Sequence, residues 1–321
     1  MGSTEDASRI RALRAPKERF DPFRPLGTVV EQERLSGGDL ESVVTVFLAG
    51  SECPFTCVFC DLWRYTLDTP TPPGALPAQL RVALADEAVQ RARPRRIKLY
   101  NASNFFDPRA VPPEDLPVLA DLLRPFAGVT VECHPLLVGD GCVAFADLLE
   151  GRLEVAMGLE TAHKGALARL NKGVSLDDFA RAAALLRRAQ VGLRAFVLVG
   201  TPFVPRAEGI AWAVRSVAHA HGEGAARVAL IPVRGGNGEL ERLAAAGDFH
   251  PPTLRDLEAT LEDALRLGTG IVVADLWDAD RLPACASCRA SRLERLASMN
   301  RTGRTLPRVS CAACGEGERL P

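Results

Sequence analysis

Seven short apolar runs recur along the chain, and stretches with helical periodicity separate most of them. The runs are Val43–Ala49, Arg96–Tyr100, Val129–Cys133, Leu153–Gly158, Leu193–Val199, Arg227–Val233 and Ile271–Leu276. Each is built mostly from Val, Ile, Leu and Ala, without a regular polar alternation. That pattern fits strands buried on both faces, as in a parallel sheet. The helical stretches are Leu76–Ala92, Glu114–Phe126, Ser175–Gln190, Ala207–His221 and Thr253–Leu267. Pro77 sits near the first turn of its helix, where a missing N–H does no harm. Ser175 with Asp178, and Thr253, supply N-terminal caps. Six or so β–α repeats over roughly 230 residues imply an α/β fold with a parallel, barrel-like sheet. A flat doubly wound sheet is the competing arrangement. Either one places chemistry at the carboxyl ends of the strands.

The 321 residues, 47 % of them apolar, suffice for one large domain and a small appendage. Residues 1–40 are charged, end in a Ser-Gly-Gly-Asp signal, and are expected to be a loosely ordered N-terminal extension. Residues 41–277 hold the β–α series, and 278–321 are rich in arginine and carry four cysteines. The formal net charge of −1 gives no global attraction to nucleic acid or membrane. No run approaches the roughly 18 apolar residues of a membrane span, and the N-terminus lacks a signal peptide's apolar stretch. A cytoplasmic location is expected. In that reducing compartment clustered cysteines point to metal rather than to disulfides.

Cys53, Cys57 and Cys60 follow the first apolar run with the spacing C-x3-C-x2-C. A structural zinc site wants four ligands. Three thiolates suit a 4Fe-4S cluster with one iron left open to a substrate or cofactor. The stretch C-P-F-T-C-V-F-C, with aromatic Phe59 before the third cysteine, resembles the CxxxCxΦC motif of the radical S-adenosylmethionine (SAM) enzymes. The resemblance spans roughly residues 43–275. It implies a partial (β/α)6 radical SAM barrel, a 4Fe-4S cluster on Cys53, Cys57 and Cys60, and S-adenosyl-L-methionine chelated at the open iron. Reductive cleavage of SAM would then give a 5′-deoxyadenosyl radical that abstracts hydrogen from substrate. An electron donor such as flavodoxin or ferredoxin is implied as partner.

The same resemblance assigns cofactor-binding roles to further residues. After the second run the family carries a glycine-rich turn for the SAM amino group; here Asn101, Ser103 and Asn104 stand in a stretch without glycine. Glu132 matches an acidic position beside SAM. Glu160 matches a polar residue ending the fourth run. Lys172 matches a basic partner for the SAM carboxylate, and Arg194 opens the run that packs on adenine. Read without the resemblance, Glu132 and Glu160 are solvated strand ends, Lys172 suits a helix end, and Arg194 is a surface arginine. Cys133 and Cys142 read as buried small hydrophobes, and His134 as structural.

Cys285-x2-Cys288 and Cys311-x2-Cys314 form two C-x2-C pairs with 22 residues between them. Four thiolates in this pattern make a closed, zinc-ribbon-like site. Zinc is the expectation and an auxiliary iron–sulfur cluster the rival. Between Arg281 and Ser310 stand seven arginines against one acid, Glu294. They read either as a surface for the phosphates of tRNA or as a solvated helix in a chain that has only four lysines.

The phrases Y-N-A-S-N-F-F-D, M-G-L-E-T-A and L-N-K-G-V-S-L-D-D-F-A-R-A-A are similar to the radical SAM subunit of archaeosine synthase. More distantly the chain is similar to the coproporphyrinogen-dehydrogenase and Elongator-type branch. The first resemblance implies modification of a tRNA base. A peptide or a small metabolite as substrate, or a non-enzymatic metal-binding scaffold, are the alternatives.

Overall fold

The computed structural model describes residues 4–315. Eight strands form one sheet: β1 (Gly27–Arg34), β2 (Leu40–Phe47), β3 (Arg96–Tyr100), β4 (Gly128–Glu132), β5 (Arg152–Glu160), β6 (Gly192–Val199), β7 (Arg227–Pro232) and β8 (Ile271–Ala274). Eleven helices accompany them: α1 (Thr4–Ala12), α2 (Ala75–Leu84), α3 (Glu87–Ala92), α4 (Asp115–Leu123), α5 (Asp140–Leu148), α6 (Lys164–Arg169), α7 (Leu176–Arg188), α8 (Gly209–Gly222), α9 (Glu239–Ala245), α10 (Leu254–Arg266) and α11 (Arg289–Thr302).

The strands lie in chain order from β1 to β8. From β2 to β8 every neighbouring pair is parallel, while β1 runs antiparallel to β2. A doubly wound sheet would reverse its order in the middle; this one does not. It curls instead. Arg194 on β6 reaches Glu33 on β1, Nη2 to Oε2 at 2.9 Å, although four strands lie between them in the sheet. The curl buries Val44, Val46, Ile97, Leu99, Val129, Val131, Val155, Val197, Val228 and Leu230 at 2 % exposure or less, which accounts for the continuous apolar runs.

Two sequence expectations change. Residues 27–34 belong to the sheet rather than to a loose extension: the G-T-V-V-E-Q-E-R stretch pairs along its whole length with β2. Its acids then meet buried cations. Lys98 bonds both Glu31 and Glu33, and Arg194 is bidentate on Glu33 with its Nε on Glu154 at 2.9 Å. Those acids look like surface residues until their partners on distant strands are known. The stretch read as one helix over 76–92 is two, α2 and α3. Asp86 breaks it by accepting the Ala88 N–H at 2.8 Å, a cap that starts a new helix. Elsewhere the caps hold: Ser175–Asp178 and Thr253–Asp256 both form complete capping boxes.

The sheet does not close on itself; β8 and β1 are its two ends. α11 packs against both, and its Leu296 and Met299 are fully buried in the main core. The four-cysteine segment is thereby anchored on the flank of the barrel.

Candidate active site at the cysteine loop

β2 ends at Phe47, and the chain then crosses the carboxyl end of the barrel as the loop that carries Cys53, Cys57 and Cys60. Side chains from distant elements fasten this loop through its backbone. Gln79, fully buried on α2, accepts the Ala49 N–H at 2.8 Å and donates to the Ala49 carbonyl at 2.9 Å, as a neighbouring strand would. Thr71 Oγ1 accepts the Ser51 N–H at 2.9 Å. Arg14 and Lys17 clamp Glu52 at 2.6 and 3.1 Å, so the N-terminal segment also holds the loop. Asn171 Nδ2 donates to both the carbonyl and the hydroxyl of Thr56 at 2.8 Å. Asn237 Nδ2 donates to the carbonyls of Val58 (2.8 Å) and Cys60 (3.3 Å). Sequence reading missed Gln79, Asn171 and Asn237. Asparagine and glutamine are ordinary in loops and helices, and only the fold brings these three onto one segment.

The loop roofs a cavity of about 1430 Å³ that runs down the barrel. Cys53, Cys57, Phe59 and Cys60 line it together with Ser103, Asn104, Glu132, Glu160 and Lys172. Burial pushes the Cys57 thiol up to about 12 and raises Cys53 and Cys60 as well. Asn104 Nδ2 donates to Cys53 Sγ at 3.2 Å, and its Oδ1 accepts the His134 N–H at 2.7 Å. His134 stacks on Phe55 with ring centres 3.6 Å apart. Its Nδ1 accepts the Leu136 N–H, so the proton sits on Nε2, which donates to the Lys172 carbonyl at 3.1 Å. Burial and the nearby Lys172 cation push this imidazole down to about 3, so it is a neutral brace.

Glu160 and Lys172 form a buried ion pair, Oε1 to Nζ at 2.9 Å. Gly158 makes room for it: a Cβ there would lie 1.9 Å from Glu160 Oε1 and 2.7 Å from Lys172 Nζ. Glu160 itself has φ +66°, beyond an irregularity in the β5–β6 register. The charge of Lys172 therefore has its own counterion, while the cation still faces Cys57 and Cys53.

The turn after β3 lacks the expected glycine, yet it adopts a glycine-like shape. Ala102 has φ +53°, a left-handed conformation that costs a residue with a Cβ. This turn aims the N–H groups of residues 101–103 at Glu132. Burial nevertheless wins over those donors and pushes the Glu132 carboxyl up to about 7. Three buried polar atoms in this corner have no protein partner: Asn101 Nδ2, Ser103 Oγ and Glu132 Oε1. Buried groups of this kind are normally bonded, and two of these residues, Ser103 and Glu132, line the cavity.

Arg194 lines the same cavity from the first half of β6, where it is locked to Glu33 and Glu154. In the arginine-rich segment, Arg292 and Arg295 are buried against Glu258 and Glu262 of α10, while Arg281, Arg301, Arg304 and Arg308 are exposed.

The four C-terminal cysteines converge: their sulfurs all lie within 4.8 Å of one another. Among the described residues this is the one group of metal-ligating side chains gathered so tightly. Cys53, Cys57 and Cys60 are not gathered in this way. No helix is long and apolar enough to cross a membrane.

No family model matches the chain. An uncharacterized protein of Methanocaldococcus jannaschii is 20 % identical over 272 residues, 79 % of this chain and 73 % of that protein. Among solved structures, the archaeal Methanocaldococcus infernus Elp3 with an N-terminal deletion matches with a TM-score of 0.50 and 16 % identity. That match covers 64 % of this chain and 55 % of the Elp3 chain, so it spans little more than half of its length. Escherichia coli coproporphyrinogen III oxidase, a radical SAM enzyme, matches with a TM-score of 0.46 and 14 % identity over 70 % of this chain and 51 % of its own. The curled sheet of parallel strands in chain order is a fold this chain shares with the Elp3 chain.

Proposed function

We propose that the protein is a radical SAM enzyme whose Cys53, Cys57 and Cys60 hold a 4Fe-4S cluster. The observation that carries this reading is the pair of unpartnered buried groups Ser103 Oγ and Glu132 Oε1, whose residues line the same cavity as the three thiols. The donor set fits. Three soft thiolates leave one iron free, and the polar corner offers both donors and an acceptor to an amino acid and a ribose. When bound, the cluster supplies the electron that cleaves SAM reductively.

This chain's residues supply the rest. Asn171, Asn237, Gln79 and Thr71 fix the loop that sets the thiols. Asn104 donates to Cys53 Sγ and stabilises its thiolate. Lys172, beside Cys57 and Cys53, offsets the negative charge that thiolates bring into a buried place. Glu132 accepts hydrogen bonds from the bound cofactor, and Phe59 walls the cavity. The electron comes from an external donor of the flavodoxin or ferredoxin kind.

For the substrate we put forward a base in tRNA, on the resemblance of three sequence phrases to archaeosine synthase. Burial of Arg292 and Arg295 leaves fewer arginines of the C-terminal segment for phosphate contact, so the tRNA reading rests chiefly on the resemblance. At the four-cysteine site we put forward zinc. A Zn–S length of about 2.3 Å makes a tetrahedral edge of about 3.8 Å, and Cys288 Sγ lies 3.9 Å from Cys314 Sγ.

Anaerobic reconstitution with iron and sulfide, then dithionite and SAM, tests the central claim. The expected result is a brown protein that releases 5′-deoxyadenosine. A C53A/C57A/C60A variant that releases it equally would refute the assignment. The same assay with bulk tRNA, and tRNA binding at low salt, tests the substrate.

A further inference from the structure

The seam between β8 and β1 is closed by a helix rather than by strand pairing. On α11, Asn300 Oδ1 accepts the Ala274 N–H and its Nδ2 donates to the Ala274 carbonyl, both at 2.8 Å. The side-chain amide thus occupies the free edge of β8 as a ninth strand would. At the other side of the seam the helix ends at Gly303, φ +65°, packed so closely on Arg34 of β1 that a Cβ would lie 2.2 Å from its guanidinium carbon. Leu296 and Met299 fill the gap between. Ala297, Asn300 and Arg301 form part of the cavity wall.

The four cysteines bracket this helix. α11 starts at Arg289, directly after Cys288, and the chain comes back to Cys311 and Cys314 beside the starting point. Arg292 joins the metal ligands to the barrel: its Nε donates to Cys288 Sγ at 3.2 Å, and its Nη1 pairs with Glu258 of α10. Its positive charge offsets part of the excess that four thiolates place on a divalent ion. The return strand after Gly303 has few other fastenings. Arg295 holds the carbonyls of Leu306 and Pro307, and Arg308 holds Glu262. An ion that joins both ends of this loop removes most of its freedom.

We propose that a zinc ion on Cys285, Cys288, Cys311 and Cys314 is the latch that keeps α11 across the barrel seam, and that its loss frees the edge of β8 and opens the cavity wall. The proposal rests on the zinc reading above, and it is independent of SAM chemistry.

The test uses the full chain carrying C53A/C57A/C60A, so that any metal found belongs to the second site. Metal analysis should give about one zinc per chain. Zinc is then stripped with a strong chelator, and hydrogen–deuterium exchange is followed by mass spectrometry. Peptides covering 271–276 and 289–303 should exchange at least tenfold faster, peptides of β4 and β5 should not change, and added zinc should restore protection. A second variant, Asn300→Leu, should keep its zinc and expose 271–276 alone. Iron in place of zinc would overturn the ion. Unchanged exchange after zinc removal would overturn the latch while leaving the zinc assignment intact, as would uniform loss of protection across the barrel.

Discussion

The two cysteine groups use the same side chain in opposite geometries. Cys285, Cys288, Cys311 and Cys314 face one another, with their sulfurs inside 4.8 Å. Cys53, Cys57 and Cys60 are spread along a loop and open onto a cavity. Their surroundings differ as well. The four-cysteine group has Arg292 on Cys288 and core residues of α11 behind it. The three-cysteine group shares its cavity with Glu132 and Ser103, which carry unpartnered buried atoms. A closed ligand set can complete a structure, whereas an open one beside a cavity leaves room for a ligand. Number and spacing in the sequence suggest this division, and the neighbours give it physical content.

The largest effect that should separate the two groups is loss of chemistry. Cys57→Ala should abolish the brown colour and bring 5′-deoxyadenosine down to the no-enzyme background, while Cys314→Ser should keep the colour and lose zinc. Iron and zinc analysis with product assay on both variants checks this, and a Cys314→Ser protein without 5′-deoxyadenosine would blur the division.

Next in size is the pair that supports the open site. Lys172→Met leaves Glu160 buried and alone, which should cost about 3–5 kcal/mol. Gly158→Ala should act in the same direction by pushing the pair apart. Urea unfolding measures both, and equal stability of wild type and Lys172→Met would show that the pair is not the strut described.

A smaller effect is pH-dependent. Glu132 is pushed up to about 7 from an ordinary 4.5, so between these values the native chain holds a proton that the unfolded chain has lost. The proton's contribution is fully present below pH 4.5 and is gone once pH passes 7. Glu132→Gln should therefore gain about 1–3 kcal/mol relative to wild type at pH 8 and little at pH 4. Unfolding curves at the two pH values decide it, and a pH-independent difference would contradict the burial of this carboxyl. The smallest effect concerns the turn beside it. Ala102→Gly should stabilise by about 1 kcal/mol or less, because φ +53° suits glycine.

Much of the barrel was legible in the chain. Six of the seven apolar runs correspond to strands within about two residues at each end, because strands buried on both faces need continuous apolar sequence. β2 alone starts three residues earlier than its run, at Leu40. β1 was not legible at all. Its Glu31 and Glu33 look solvated until Lys98, Arg194 and Arg227 come into view from strands 60 to 200 positions away. Arg194's ion pairs were illegible for the same reason: an arginine that opens an apolar run could face cofactor, solvent or a buried acid, and only the curl of the sheet puts Glu33 and Glu154 beside it. Arg292 and Arg295 look solvated in like manner, since Glu258 and Glu262 lie more than 30 positions before their partners.

The sequence by itself determined the class of fold, the two cysteine spacings and the helix caps. Each of these depends on residues within a few positions of one another, where periodicity and spacing are physical constraints. The tertiary structure decided which charges are buried, which backbone the amides of Gln79, Asn171, Asn237 and Asn300 hold, and which polar atoms remain unmet. Those depend on contacts between residues distant in the chain, and a charged or amide side chain carries no mark of the partner that folding brings to it.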